Sequence, residues 1–190
     1  MIAGKPATIH RARGSAPRLE TQSMQVRTAT IEDLPQVLGL YRRVAATPGG
    51  LARLVDEIDD SYVHSFLSRA IANGLTLVAI DDPGEISGEI HGYSPNLYCF
   101  SHVFSYLTIV VDPEHQGKGI GRLLFTQFLA TVTEEYPYIK RVELIARESN
   151  EAAIRFYESL GFSVEGKMKS RIRNVDGTLE ADIPMAWIRV

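Results

Sequence analysis

The segment Ile109-Val-Val-Asp-Pro-Glu-His-Gln-Gly-Lys-Gly-Ile-Gly121 passes from a β-branched run through Pro113 into a glycine turn and the start of a helix. That sequence suits an anion. The first N–H groups of a helix have no partners within it and carry a partial positive charge, so phosphate binds there readily. Gly117, Gly119 and Gly121 remove Cβ atoms where backbone would approach such a group, and Lys118 and Arg122 add charge beside it. Two familiar phosphate loops do not fit. A Walker loop needs glycine where Asp112 stands, and a dinucleotide fingerprint beginning at Gly117 needs glycine where Arg122 stands. Taken alone, the turn is equally compatible with a tight strand-to-helix connection.

The elements that must hold this turn can be read from pattern. Gln25–Ala29 reads as a strand, and Thr30 with Asp33 has capping-box spacing ahead of a helix reaching about Ala45, with Pro35 in its first turn. Val63, Phe66, Leu67, Ala70 and Ile71 mark a second helix that Asn73-Gly74 stops. Leu75–Ile80 and Ile86–Tyr93 read as paired strands, Ser94–Ser101 as a loop, and Val103–Val111 as the longest strand. After the glycine turn, Ile120, Leu124, Phe125, Phe128 and Val132 give a helix a broad apolar face. Arg141–Ala146 is a strand, Asn150 caps a helix reaching Leu160, Gly161 ends it, and Phe162 and Ile183–Arg189 begin and form the last strands. The expected fold is α/β, a central mixed sheet of six to seven strands with about four flanking helices.

Composition narrows the classes further. The chain has 190 residues, 45% of them hydrophobic, a net charge of −3 and one cysteine. A chain of this length buries about two-thirds of its unfolded surface and needs neither disulfide nor metal to fold. No run approaches the roughly 18 apolar residues of a membrane span. The mild acidity argues against nonspecific nucleic-acid binding, which depends on Lys and Arg density. Charge is uneven. Lys5, Arg11, Arg13 and Arg18 against Glu20 give residues 1–24 a net +3, which leaves −6 for the rest. Residues 1–24 therefore read as a disordered basic N-terminal extension and 25–190 as the folded domain. Cys99 alone and the lack of a signal-peptide run fit a cytoplasmic location.

Gln116-x-x-Gly119-x-Gly121, followed by Asn150-x-x-Ala153-x-x-x-Tyr157-x-x-x-Gly161-Phe162, resembles the GCN5-related N-acetyltransferase (GNAT) superfamily, and the β/α order agrees from about Gln25 onward. The resemblance implies acetyl-CoA as co-substrate. It places the pantetheine along Ile109, Val110 and Val111, and the pyrophosphate on the amides of Gln116, Gly117, Lys118, Gly119, Ile120 and Gly121 with Arg122 nearby. Asn150 would meet the pantetheine and Tyr157 the thioester sulfur. The implied reaction is direct attack of an amine on the thioester, through a tetrahedral oxyanion that a backbone N–H near Val110 or Val111 stabilises. In Tyr157-Glu-Ser-Leu-Gly-Phe162 the chain also resembles ribosomal-protein N-terminal acetyltransferases. Those enzymes place a glutamate where Ile145 stands here.

A lysine-type amine near pKa 10.4 is almost wholly protonated at neutral pH, so its attack needs a base. Val103–Val111 holds no carboxylate. The candidates are Glu143, on the same strand face as Ile145, together with Glu89, His91 and His102. Acceptor recognition is expected from the first two helices and the Ser94–Ser101 loop. Tyr41, Tyr62, Tyr93, Tyr98, Phe100 and Tyr106 are candidate walls, and Asp56, Glu57, Asp59 and Asp60 are carboxylates able to attract a cationic amine. The expected acceptor is a primary amine, either a small molecule or a polypeptide amine. The alternative is an acyl-CoA-binding module of the same fold that acts as a sensor or partner without turnover. No metal, nucleic acid or membrane is expected, and family members often dimerise, which admits a homodimer.

Overall fold

The computed structural model describes residues 24–81 and 84–189. The expected extension 1–24 lies outside the described residues except for Met24, which packs on the core. Along the chain come β1 (Gln25–Thr28), α1 (Leu34–Ala45), α2 (Asp60–Asn73), β2 (Gly74–Ile80), β3 (Ile86–Tyr93), β4 (Val103–Val111) and α3 (Ile120–Glu135). Then follow β5 (Arg141–Arg147), α4 (Glu151–Glu158), β6 (Ser163–Val164), β7 (Met168–Arg173) and β8 (Leu179–Ile188). No helix among the described residues is long and apolar enough to cross a membrane.

The local signals act largely as their chemistry dictates. The Thr30 N–H donates to Asp33 Oδ2 at 2.8 Å, and Arg27 grips both Asp33 oxygens at 2.7 Å. This closes a single 3-10 turn, Ile31–Asp33, from which α1 continues with Pro35 in its first turn. Asp59 accepts the Tyr62 N–H and starts α2. Gly161, at φ +90°, ends α4 in the left-handed region, and the Phe162 N–H returns to the Tyr157 carbonyl. Gly74 behaves differently from the expected helix stop. Its φ of −164° is extended, so α2 runs straight into β2. Glycine is needed there for space, because a Cβ would sit 2.1 Å from the Gly92 carbonyl oxygen and 2.6 Å from Tyr93 Cα.

The sheet has eight strands in the order β1-β2-β3-β4-β5-β8-β6, with β7 also on β8. That is one or two more than expected. β7 escaped the pattern because Met168 and Ile172, both only half-buried, are the only apolar residues of Met168–Arg173, while Lys169, Arg171 and Arg173 are exposed. Backbone pairing to β8 carries it, and β8 itself begins at Leu179, four residues before the expected Ile183.

Two apolar layers cover the sheet. α1 and α2 pack Leu40, Tyr41, Val63, Phe66 and Leu67 against Val78, Ile86 and Val110 on one face. α3 packs Leu124, Phe125 and Phe128 against Leu77, Ile90, Phe104 and Leu144 on the other, with Ile154 and Tyr157 of α4 at its edge. Antiparallel pairing holds β1 to β4 and, separately, β5 to β8. The two halves meet only where β4 and β5 pair in parallel, at Val103–Arg141 and Phe104–Val142. Beyond that point the strands part.

Gly74→Ala forces β2 from β3 at backbone that cannot yield, and the expected loss is about 1–3 kcal/mol. Urea unfolding would register it as a lower midpoint at unchanged slope.

Candidate active site

Where β4 leaves β5, Tyr106 adopts φ +55° and the β3–β4 register slips by one residue between His91 and Tyr93. This bulge bends β4 away from its parallel neighbour. The Asp112 N–H bonds to Ser87 on β3, so strand alternation turns Val110 toward β3 as well, and turns Ile109 and Val111 toward the split. Ile109 and Val111 thus present backbone N–H and C=O groups where no strand partners them. Val110, expected to share in binding there, has its backbone in the β3 ladder.

The split is the centre of a cavity of about 770 Å³ that reaches both faces of the sheet. Tyr62, Phe66, His91 and Tyr93 line it from the α1/α2 face, and Ala153 and Tyr157 from the α4 side. Ser105 to Ile109 of β4 and Arg141 and Glu143 to Arg147 of β5 form the walls. Residues 49–53 and Glu57 form a rim. The Ser94–Ser101 loop does not line the cavity, and Tyr98 is 95% exposed away from it.

At the α3 end of the split stands the glycine turn. Gly117 and Gly119 hold φ of +76° and +86°, which explains glycine at both positions. Gly121 is helical, and a Cβ there would meet Val111 at an ordinary 3.7 Å, so the fold itself does not demand glycine. The N–H groups of Gln116, Gly117, Lys118, Gly119, Ile120, Gly121 and Arg122 find no acceptor among the described residues. Arg122 donates to Ser159 Oγ at 3.0 Å, which ties the start of α3 to the end of α4. Asp112 fixes the turn's other end. It accepts the Glu114 N–H at 3.0 Å and Arg43 Nε at 2.6 Å. Burial opposes its charge, but these two donors outweigh it and hold the carboxyl below its usual range. Asp112 and Arg43 went unnoticed in the sequence because a contact across 69 positions has no local signature.

Asn150 Oδ1 accepts the Ala153 N–H at 3.0 Å, so its cap role occupies the oxygen and leaves the NH2 unpartnered among the described residues at the cavity wall. The Tyr157 hydroxyl likewise has no partner among the described residues, and burial pushes its pKa up to about 12. A phenol held there stays protonated and acts as a hydrogen-bond donor throughout the neutral range.

The four candidate proton acceptors separate clearly. Glu143 lines the cavity, but Arg141 Nε binds one oxygen at 2.8 Å and Ser105 Oγ the other at 2.5 Å. His102 is exposed at the closed end of the β4–β5 pair and does not line the cavity. Glu89 is wholly buried behind His91. It accepts the Tyr41 hydroxyl at 2.7 Å, the Thr76 hydroxyl at 2.9 Å and His91 Nδ1 at 3.2 Å. Burial and the Glu89 charge push the Tyr41 phenol well above its usual pKa, so it remains a donor. His91 Nδ1 is thus turned to the Glu89 carboxyl, and its Nε2 meets no partner among the described residues. Phe66 stacks on that ring at 4.2 Å and fixes its plane. The pair has a sequence signal in its i, i+2 spacing on a strand, which puts both side chains on one face.

Comparison with known proteins gives a consistent picture. The model of the acetyltransferase (GNAT) family matches residues 48–162. The [ribosomal protein bS18]-alanine N-acetyltransferase of Escherichia coli (strain K12) is 36% identical over 80% of this chain and 88% of its own length. The L-amino acid N-acyltransferase MnaT of the same organism is 26% identical over 76% and 83%. Among solved structures, a GNAT-family acetyltransferase from Streptococcus pneumoniae superposes with a TM-score of 0.78 at 21% identity, covering 88% of this chain and all of its own. A phosphinothricin acetyltransferase from Sinorhizobium meliloti in complex with AcCoA gives 0.76 at 20% identity, covering 87% and 88%.

The depressed Asp112 carboxyl makes a signed prediction. Its contribution is present above the unfolded value near 3.9 and is lost as pH falls through the lower folded value. Asp112→Asn should therefore cost about 1–3 kcal/mol at pH 7, and the gap to the parent should narrow below pH ~4 in denaturant titrations.

Proposed function

Because the chain belongs to the GNAT acetyltransferase family, we propose that it transfers an acetyl group from acetyl-CoA to a primary amine. The carrying observation is the row of unpartnered N–H groups from Gln116 to Arg122 at the head of a split whose free strand edge leads to Tyr157. A pyrophosphate satisfies such a row, and Lys118 and Arg122 add positive charge. The backbone of Ile109 and Val111 and the NH2 of Asn150 suit the amides of the pantetheine arm. The solved neighbour from Sinorhizobium meliloti, with AcCoA bound, supports this choice of co-substrate.

The chain's own groups then divide the chemistry. His91 Nε2 takes a proton from the ammonium of the acceptor, directly or through one water, and the buried Glu89 carboxylate stabilises the imidazolium formed. The freed amine attacks the acetyl carbon from the α1/α2 face. An N–H on the free edge of β4, at Ile109 or beyond it toward the bulge, stabilises the oxyanion. The nitrogen of the tetrahedral adduct, cationic after attack, gives its second proton to solvent water as the carbon–sulfur bond breaks, and the departing thiolate accepts a hydrogen bond from Tyr157. Its phenol, at a pKa of about 12, is too weak an acid to give up its proton fully. The proton held on His91 returns to solvent, and the thiolate is protonated on release. Glu143 is reserved by Arg141 and Ser105 for structure, and His102 has no part.

The acyl-CoA-binding module without turnover lacks a specific observation in its favour, since a His–carboxylate pair with a free nitrogen faces the cavity. Thiol release from acetyl-CoA over a panel of amines tests the reading. His91→Gln should lower kcat by about 10²–10⁴-fold. Glu89→Gln should lower kcat with little change in KM, and Tyr157→Phe should lower kcat by about 10-fold or more at retained CoA affinity. Tight CoA binding with no turnover on any amine would favour the module instead.

A further inference from the structure

The acceptor half of the cavity has an unexpected charge. Of the four loop carboxylates only Glu57 lines the cavity, and one of its oxygens accepts the Leu54 N–H at 2.9 Å, while Asp59 caps α2 through Tyr62. Glu143 is bound by Arg141, and Glu89 lies behind His91. Arg53 is what remains. It lines the cavity on the 49–53 rim, and its guanidinium carbon lies 4.1 Å from the centre of the Tyr62 ring. It has no carboxylate within ion-pair distance among the described residues, whereas Arg141 and Arg147, the other cavity arginines, are each paired.

Position strengthens the case. Tyr62 packs on Phe66 at 5.4 Å, and Phe66 stacks on His91, so Arg53 belongs to the same aromatic wall as the proton acceptor. That wall lies on the α1/α2 face, across the sheet from Tyr157 and the α4 side. The guanidinium sits over the Tyr62 ring, and its N–H groups donate to no oxygen among the described residues, so the fork that grips a carboxylate with two parallel hydrogen bonds is available.

We infer that the acceptor is a small α-amino acid, with its carboxylate held by Arg53 and its amine presented to His91. This rests on the acetyltransferase reading and names its substrate class. A free α-amino acid has both groups. A polyamine has no anion, and the terminal amine of a polypeptide has lost its adjacent carboxylate to the peptide bond.

The test compares kcat/KM for free L-amino acids with their L-amino acid amides, adding spermidine and an unblocked tetrapeptide, in the parent and in Arg53→Gln and Arg53→Lys. The acids should exceed their amides by about 10–100-fold in the parent, mainly through KM. Arg53→Gln should bring that ratio toward one, and Arg53→Lys should restore part of it. Calorimetry with acetyl-CoA separates the two claims. Robust turnover of amides, spermidine or tetrapeptide at or above the level of the free acids overturns the inference and leaves the acetyltransferase reading standing. A ratio that Arg53→Gln does not change also overturns it. Binding of acetyl-CoA with no turnover of any of these amines overturns both.

Discussion

Two strands that begin as neighbours and then separate govern this molecule. β4 and β5 share only two register positions, and the bulge at Tyr106 sends β4 off on its own line. Each strand stays paired on its other side, β4 to β3 and β5 to β8, so the opening does not unravel the sheet. What it exposes is a facing pair of strand edges in the middle of the protein. Buried backbone N–H and C=O groups without partners are costly, and such an edge is stable only beside water or a ligand that completes it. A long, amide-rich ligand arm matches that requirement better than a compact one.

The same separation connects the two faces of the sheet. The apolar layer under α1 and α2 and the layer under α3 would otherwise be sealed from each other, yet one cavity touches Phe66 and His91 on one side and Tyr157 on the other. Two substrates can therefore enter from opposite faces and meet at the split. The cost is carried by the α1/α2 layer, where a carboxylate is buried outright. Glu89 tolerates this because Tyr41, Thr76 and His91 all donate to it, and removing any one donor would leave a lone pair unsatisfied in a low-dielectric core. A group kept at that expense, aimed at a histidine with a free nitrogen, is more economically explained by proton transfer than by packing.

Much of this was legible in the order of residues. The Thr30–Asp33 box, the glycine turn and the Asn150–Gly161 helix all announce themselves within a few positions, because capping and left-handed backbone are local requirements. The family resemblance implied a pantetheine along Ile109 to Val111, but nothing local in Val103–Val111 marks Tyr106 as the bulge that opens the split. β7 was missed because its one sheltered face carries only Met168 and Ile172, with Ser170 between them, too few apolar residues to set a period. Among the site residues, Glu89 and His91 carried a signal in their spacing, but their ranking above Glu143 and His102 depends on which partners each finds across the sheet. Arg53 carried none. Its meaning comes from Tyr62 beneath it and from the absence, among the described residues, of a carboxylate beside it.

The central claim is that the separation of β4 from β5 is a slot for the coenzyme arm. A crystal structure of the complex with CoA tests it most directly. The account predicts the pantetheine lying along the free edge at Ile109 and Val111, the pyrophosphate on the N–H groups from Gln116 to Arg122, and the sulfur within hydrogen-bonding distance of Tyr157. CoA bound outside the split, or a sulfur directed away from Tyr157 and the His91 side of the cavity, would contradict it.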